Sequence, residues 1–255
     1  MVDFRAAQLV SQTMQFRKKT IDLIRKGDGE ASDRIVGKFE VELDGSSSRQ
    51  LLSIAFIGQY NAGKSTTIKA LTGRDDILID SDIATNKISN YEREGVLLID
   101  TPGICNERKD HDAMTREALR QADLLVYMLT SMLFDSLTAE DFKNLAYVQG
   151  YLNKMLVLVN KINTEAGPVE QRLENYRQSL AITLAPRSLD EFGLAFIDAR
   201  DYLEGLAEED QQLINESRFS EFIQTLDSFA KSRGCLARLD TPLRIMQSYL
   251  DEAIG

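Results

Sequence analysis

The stretch Leu51-Leu52-Ser53-Ile54-Ala55-Phe56-Ile57-Gly58-Gln59-Tyr60-Asn61-Ala62-Gly63-Lys64-Ser65 sets the architecture around it. Leu51 to Ile57 is an almost wholly apolar run with no polar alternation, which suits a strand buried on both faces of a parallel sheet. It leads into Gly58-x-x-x-x-Gly63-Lys64-Ser65, the pattern of a phosphate-binding loop. The glycines let backbone N–H groups turn inward around an anion, and a helix over Ser65 to Leu71 places its positive end there. Lys64 then neutralises the β- and γ-phosphates of a nucleoside triphosphate, and Ser65 offers a hydroxyl to Mg2+. An octapeptide of this kind also arises by chance in loops; the strand before it and the helix after it argue against that. Gly58, Asn61, Ala62, Gly63, Lys64, Ser65 and Thr66 are the candidate phosphate-loop contacts.

Outward from the loop, apolar runs and helical patterns alternate. Val96 to Ile99, Leu124 to Leu129, Met155 to Val159 and Leu194 to Ile197 read as strands. His111 to Gln121, Thr138 to Tyr151 and Val169 to Leu180 read as the helices between them. The alternation predicts an α/β fold with a doubly wound, mostly parallel sheet and ligands at the carboxyl ends of its strands.

Three further segments fall at those ends. Asp100-Thr101-Pro102-Gly103 follows the second strand; its carboxylate suits a magnesium-bound water, and Gly103 lets an N–H approach the γ-phosphate. Between it and the phosphate loop, Thr85 in Ile83-Ala84-Thr85-Asn86 is the candidate switch threonine for magnesium and the γ-phosphate, set against an ordinary surface threonine. Asn160-Lys161-Ile162-Asn163 has the place of a guanine-reading motif, normally Asn/Thr-Lys-x-Asp, with Lys161 lying along the base. An aspartate in the fourth position accepts two guanine hydrogens, whereas Asn163 carries one acceptor and one donor, a mismatch of about 1–3 kcal/mol in a buried site. Asp198-Ala199-Arg200 follows the last strand as a second base loop, with the Ala199 N–H available to a guanine carbonyl.

The 255 residues are 43% hydrophobic and 27% charged, as in an ordinary globular protein. No run approaches the roughly 18 apolar residues of a membrane span. Cys105 and Cys235 match no metal or redox spacing and read as reduced thiols, and the single His111 excludes a histidine-based centre. A net charge of −10 argues against a broad nucleic-acid surface, so no nucleic-acid partner is expected. The flanks read as helices: Asp3 to Lys26, then a turn-rich break at Asp44-Gly45-Ser46-Ser47-Ser48, and at the other end two tail helices. Phe219, Phe222, Ile223, Leu226, Phe229 and Ala230 face one way on the first. Leu243, Met246, Leu250 and Ala253 do so on the second, with Ile245, Tyr249 and Ile254 beside them and Thr241-Pro242 as its start. The unfinished stripe reads as a cut inside a longer helical region, and helix-on-helix packing accounts for both faces better than membrane binding.

In order and spacing these motifs resemble the dynamin superfamily, specifically bacterial dynamin-like proteins, over nearly the whole chain after residue 50. The shared residues are Ile57 to Thr66, Ile83-Ala84-Thr85, Asp100-Thr101-Pro102-Gly103-Ile104, Glu216-Ser217-Arg218-Phe219 and Thr241-Pro242-Leu243. The resemblance implies a GTPase domain over 51–215, carried on a helical neck made of an N-terminal helix and linker over 1–50 and neck helices over 216–255. It implies GTP hydrolysis to GDP, Mg2+ held by Ser65, Thr85 and, through water, Asp100, and a homodimer closed across the nucleotide faces. Remodelling of a membrane would fall to parts outside this chain, which is expected in the cytoplasm or at a membrane periphery. Ile104 stands where Ras-like enzymes carry a water-orienting glutamine, so Tyr60, Asn61, Lys64, Thr85 and Gly103 are the catalytic candidates. Asn61 either shapes the loop or helps hold K+ or Na+ beside the phosphates. The competing readings are an RNA- or ribosome-assembly GTPase and a slow nucleotide-binding switch.

Overall fold

The computed structural model describes residues 15–27, 29–48, 51–77, 88–101 and 118–254. Six strands form one sheet: β1 (Leu52–Gly58), β2 (Ser89–Arg93), β3 (Val96–Asp100), β4 (Leu124–Thr130), β5 (Met155–Asn160) and β6 (Gly193–Phe196), in the order β2-β3-β1-β4-β5-β6. All neighbours run parallel except β2 and β3. All of β5, and all of β1 and β4 but one end residue each, are buried, as their unbroken apolar runs require. The chain passes from β3, on one side of β1, to β4 on the other. That reversal opens a crevice at the carboxyl end of β1, where the phosphate loop begins.

The sheet is therefore the doubly wound, mostly parallel one expected, with one addition. The polar sequence Ser-Asn-Tyr-Glu-Arg of β2 shows half-buried residues alternating with exposed ones, and it pairs antiparallel at the sheet edge. A two-residue turn, Glu94-Gly95, with φ of 49° and 79°, joins it to β3. Positive φ at both positions matches the twist of a tight hairpin, and a charged edge strand resists unwanted pairing.

Helices α1 (15–24) and α2 (Glu30–Ser48) precede the sheet, and α3 (Lys64–Thr72) follows the phosphate loop. Residues 118–121 are helical (α4). Helix α5 (Ser136–Lys143) passes into a π turn over Asn144–Val148. Then come α6 (Val169–Leu184), α7 (Ala199–Glu208), α8 (Gln211–Glu216) and α9 (Phe219–Ile254). The core joins Tyr127, Phe142, Leu180 and Phe196, with Tyr127 edge-on to Phe142 at 4.9 Å.

Two expectations on the flanks are corrected. The turn-rich break at residues 44–48 is helical, because Val36, Phe39 and Leu43 bury one face of α2, and Gly or Ser near a helix end costs only about 1 kcal/mol. Pro242 lies inside α9 instead of starting a new helix. An internal proline removes one helical bond and costs about 3 kcal/mol, which the burial of Ile245, Met246 and Tyr249 beyond it offsets. The buried side of that segment is Ile245, Met246 and Tyr249, while Leu243 and Ala253 are exposed.

The chain divides into two compact units, one of them Leu51–Cys235 and the other made from the two flanks. In the flank unit Ile24, Val36, Phe39, Leu43, Ile245, Met246 and Tyr249 form one apolar cluster, a helical bundle drawn from both ends of the chain. The first part of α9, with Phe219, Phe222, Leu226 and Phe229, counts with the sheet unit. No helix among the described residues is long and apolar enough to cross a membrane.

Candidate nucleotide site

The phosphate loop is shaped by two glycines. Gly58 has φ 123°, and a Cβ there would lie 2.2 Å from the Met128 carbonyl oxygen on β4. Gly63 has φ 87°, and a Cβ would lie 2.4 Å from Asn160 Nδ2. Between them Asn61 takes φ 56°, a left-handed conformation that asparagine tolerates better than most residues. Gln59 ties the loop to the end of β4: its N–H donates to Met128 O (3.1 Å), its Nε2 to Leu133 O (2.7 Å), and its Oε1 accepts from Thr130 N (3.0 Å). Tyr60 and Asn61 stand exposed on the crest of the loop.

Helix α3 begins at Lys64, so its N-terminal N–H groups open into the loop. Lys64 is buried and its Nζ donates to Gln59 O at 2.9 Å. Burial pushes its ammonium down to about 8, against the pull of Asp100. A desolvated cation beside the open N-terminal N–H groups of a helix suits an anion.

Ser65 Oγ donates to Asp100 Oδ2 at 2.6 Å. Asp100 Oδ1 is buried and has no hydrogen-bond partner among the described residues. Burial raises the Asp100 carboxyl above the usual carboxylate range, opposed by Ser65 and Lys64. A hydroxyl and an unsatisfied carboxylate oxygen are the hard donors that Mg2+ takes, commonly through its own waters, so the residues present fit that ion. Thr101 Oγ1, bonded to Phe56 O at 2.7 Å, locks the end of β3 to β1. Thr85, Gly103 and Ile104 lie outside the described residues.

At the base end the buried Asn160 joins two loops. Its Nδ2 donates to Ala62 O (2.8 Å) and its Oδ1 accepts from Ala199 N (3.0 Å). The Ala199 N–H expected for a guanine carbonyl is therefore directed at Asn160, because that amide needs an acceptor's partner once buried. Lys161 has φ 66°, and the Ile162 N–H donates to Ile197 O, which brings the loop after β5 beside the loop after β6. Asp198 caps α7 by accepting from the N–H groups of Arg200 and Asp201, and burial raises its carboxyl. Arg200 pairs along the helix with Glu204 at 2.6 Å. Asn163 Nδ2 donates to Asp201 Oδ2 at 2.7 Å, and Asn163 Oδ1 accepts from Arg172 Nη2 at 3.4 Å.

The structure thus gathers the phosphate-loop residues with Asp100, and Asn160, Lys161 and Asn163 with Asp198, Ala199 and Arg200. Gln59, Arg172 and Asp201 join these residues although none of the sequence motifs specifies them. Gln59 sits inside the loop pattern at a variable position, and Asp201 falls just past the Asp198-Ala199-Arg200 loop, with no motif of its own.

Residues 53–161 match a family model described as 50S ribosome-binding GTPase. The chain is 26% identical over 172 residues to GTPase Der of Phocaeicola vulgatus, covering 63% of this chain and 39% of that one. With GTPase Der of Clostridium botulinum (strain Okra) it shares 27% over 172 residues, 62% of this chain and 38% of the other. It spans about two fifths of the length of the curated relatives it matches. Among solved structures, one of an oligomerised bacterial dynamin pair aligns with TM-score 0.55 and 16% identity, covering 100% of this chain and 57% of that one. Era in complex with MgGDPNP and a 16S ribosomal RNA segment aligns with TM-score 0.51 and 19% identity, covering 71% of this chain and 57% of that one. At these identities the structural likeness shows the fold. The family model covers residues 53–161 of the sheet unit, whose fold is that of a P-loop GTPase.

Proposed function

We propose that this domain hydrolyses GTP to GDP and phosphate in a magnesium-dependent reaction completed by dimerisation across the nucleotide face, as part of a dynamin-like protein. The observation that carries the chemistry is the orphaned Asp100 oxygen beside Ser65 and the desolvated Lys64. Lys64 takes the β- and γ-phosphates, the loop N–H groups cradle them, and Ser65 and Asp100 hold the magnesium, the latter through water. Bound there, Mg2+ supplies positive charge to the phosphate oxygens. Phosphoryl transfer needs an aligned water and charge stabilisation more than covalent chemistry. Thr85 and Gly103 are assigned to the γ-phosphate. Asn61, exposed beside Tyr60 on the loop, is assigned to K+ or Na+ next to the phosphates.

The dynamin-like assignment is supported by the helical unit built from both flanks and by an alignment that extends over the whole chain. In that assignment membrane contact falls to other parts of the protein, and no nucleic acid is bound. A second reading, a ribosome-assembly GTPase, is favoured by the family model and by the Der relatives. Turnover per molecule measured against protein concentration separates them: a dimer-driven enzyme accelerates, and added ribosomal subunits leave it unchanged. A rate flat in concentration but raised by ribosomal subunits sinks the dynamin-like reading. Equal turnover in potassium, sodium and large organic-cation buffers removes the monovalent ion.

A further inference from the structure

Guanine presents N1–H and its exocyclic amine side by side, two donors that a single carboxylate can accept together. Asn163 stands where that carboxylate is expected, but its amide is already engaged on both sides. Its Nδ2 donates to Asp201 Oδ2 at 2.7 Å, and its Oδ1 accepts from Arg172 Nη2 at 3.4 Å. A guanidinium only donates and an ionised carboxylate only accepts, so these neighbours fix which way the amide faces. Turned over, it would set –NH2 against guanidinium and oxygen against carboxylate.

Asp201 lies in the first turn of α7, where the helix end favours a negative charge. Its position is over-determined: its N–H is capped by Asp198, and Ala199, two residues earlier, is tied to Asn160. The bond from Asn163 uses one of about four acceptor positions that a carboxylate offers. Arg172 in turn reaches the carbonyls of Ile162 and Glu165, so the base loop is pinned from behind.

We propose that Asp201, rather than residue 163, supplies the carboxylate that reads the guanine edge, with Asn163 as the positioning residue that holds it and Arg172 as the anchor of Asn163. The assignment rests on the nucleotide-binding reading above and deepens it. If Asn163 faced the base directly, its amide would pair with the 2-oxo group of xanthine, and XTP would bind as well as GTP or better. With Asp201 as reader, GTP is preferred.

The test is the affinity of the whole chain for GTP, XTP and ATP, measured by calorimetry for four proteins. The unaltered chain is expected to prefer GTP. Asp201→Asn loses about ten- to a hundredfold in GTP affinity and gains in XTP affinity, since an amide donor replaces an acceptor. Asn163→Asp sets two carboxylates face to face and weakens GTP binding. The double exchange N163D/D201N keeps the hydrogen-bonded pair intact but moves the amide to 201, so it prefers XTP. It also answers the question if either single variant fails to melt cooperatively. A double exchange that prefers GTP, or an Asn163→Asp variant that binds GTP more tightly, returns the reading role to 163 and overturns the proposal. An unchanged GTP-to-XTP ratio in Asp201→Asn does the same while leaving triphosphate binding intact. If the unaltered chain binds none of the three, the nucleotide-binding reading fails together with this one.

Discussion

The phosphate end and the base end of the site are built by opposite means. At the phosphate end, backbone shape does the positioning: Gly58 and Gly63 sit at positive φ where an added Cβ would collide, and Lys64 starts the helix. At the base end, side chains do it: Asn160, Asn163, Asp198, Asp201 and Arg172 bond to one another or to loop backbone. The first end should therefore break when an atom is added, the second when a group is removed.

Gly58→Ala tests the first half most severely. Its methyl would lie 2.2 Å from a backbone oxygen that cannot move without shifting β4. A loss of about 3 kcal/mol or more is expected, read as a lower urea midpoint. Asn160→Ala tests the second half: it leaves the buried Ala62 carbonyl and Ala199 N–H without their partner, for about 2–4 kcal/mol. A stability loss under about 0.5 kcal/mol would mean that the amide does not tie the loops.

Asp100→Asn separates binding from folding at the phosphate end. The amide carries no charge to desolvate, so the nucleotide-free protein should melt no lower than the parent. Affinity for magnesium and triphosphate together should fall about ten- to a hundredfold. Equal falls with and without magnesium would show that Asp100 does not serve the ion. The smallest effect comes from pH. With Lys64 lowered to about 8, raising the pH from about 7 to about 9 should discharge it and weaken triphosphate binding by up to about tenfold. Stability runs the other way: the unfolded chain keeps this proton longer, so the empty fold gains as pH rises from about 8 toward 10.5. A Lys64→Met variant should lack both trends.

Legibility in sequence followed the same division. The strands at 52–58, 96–100, 124–130, 155–160 and 193–196 were visible because buried parallel strands are continuous apolar runs. Strand β2 escaped because Ser89, Asn90 and Glu92 on an edge carry no such signal. Helix α2 was read as a linker because Gly45 and three serines outweighed the buried spacing of Val36, Phe39 and Leu43. The phosphate loop is a local pattern and could be found within eight residues. The link from Asn163 to Asp201 spans 38 residues, with α6 and β6 between them, so no local pattern carries it.

Asn160 has a consequence for the order in which the chain is made. Its two bonds reach back 98 residues to the phosphate loop and forward 39 to the start of α7. During synthesis the loop leaves the ribosome long before its second brace exists. An emerging chain that stops short of residue 199 holds the phosphate pattern and the whole sheet but only half of the crossbar, so the loop's bracing is among the last parts of the site to be completed.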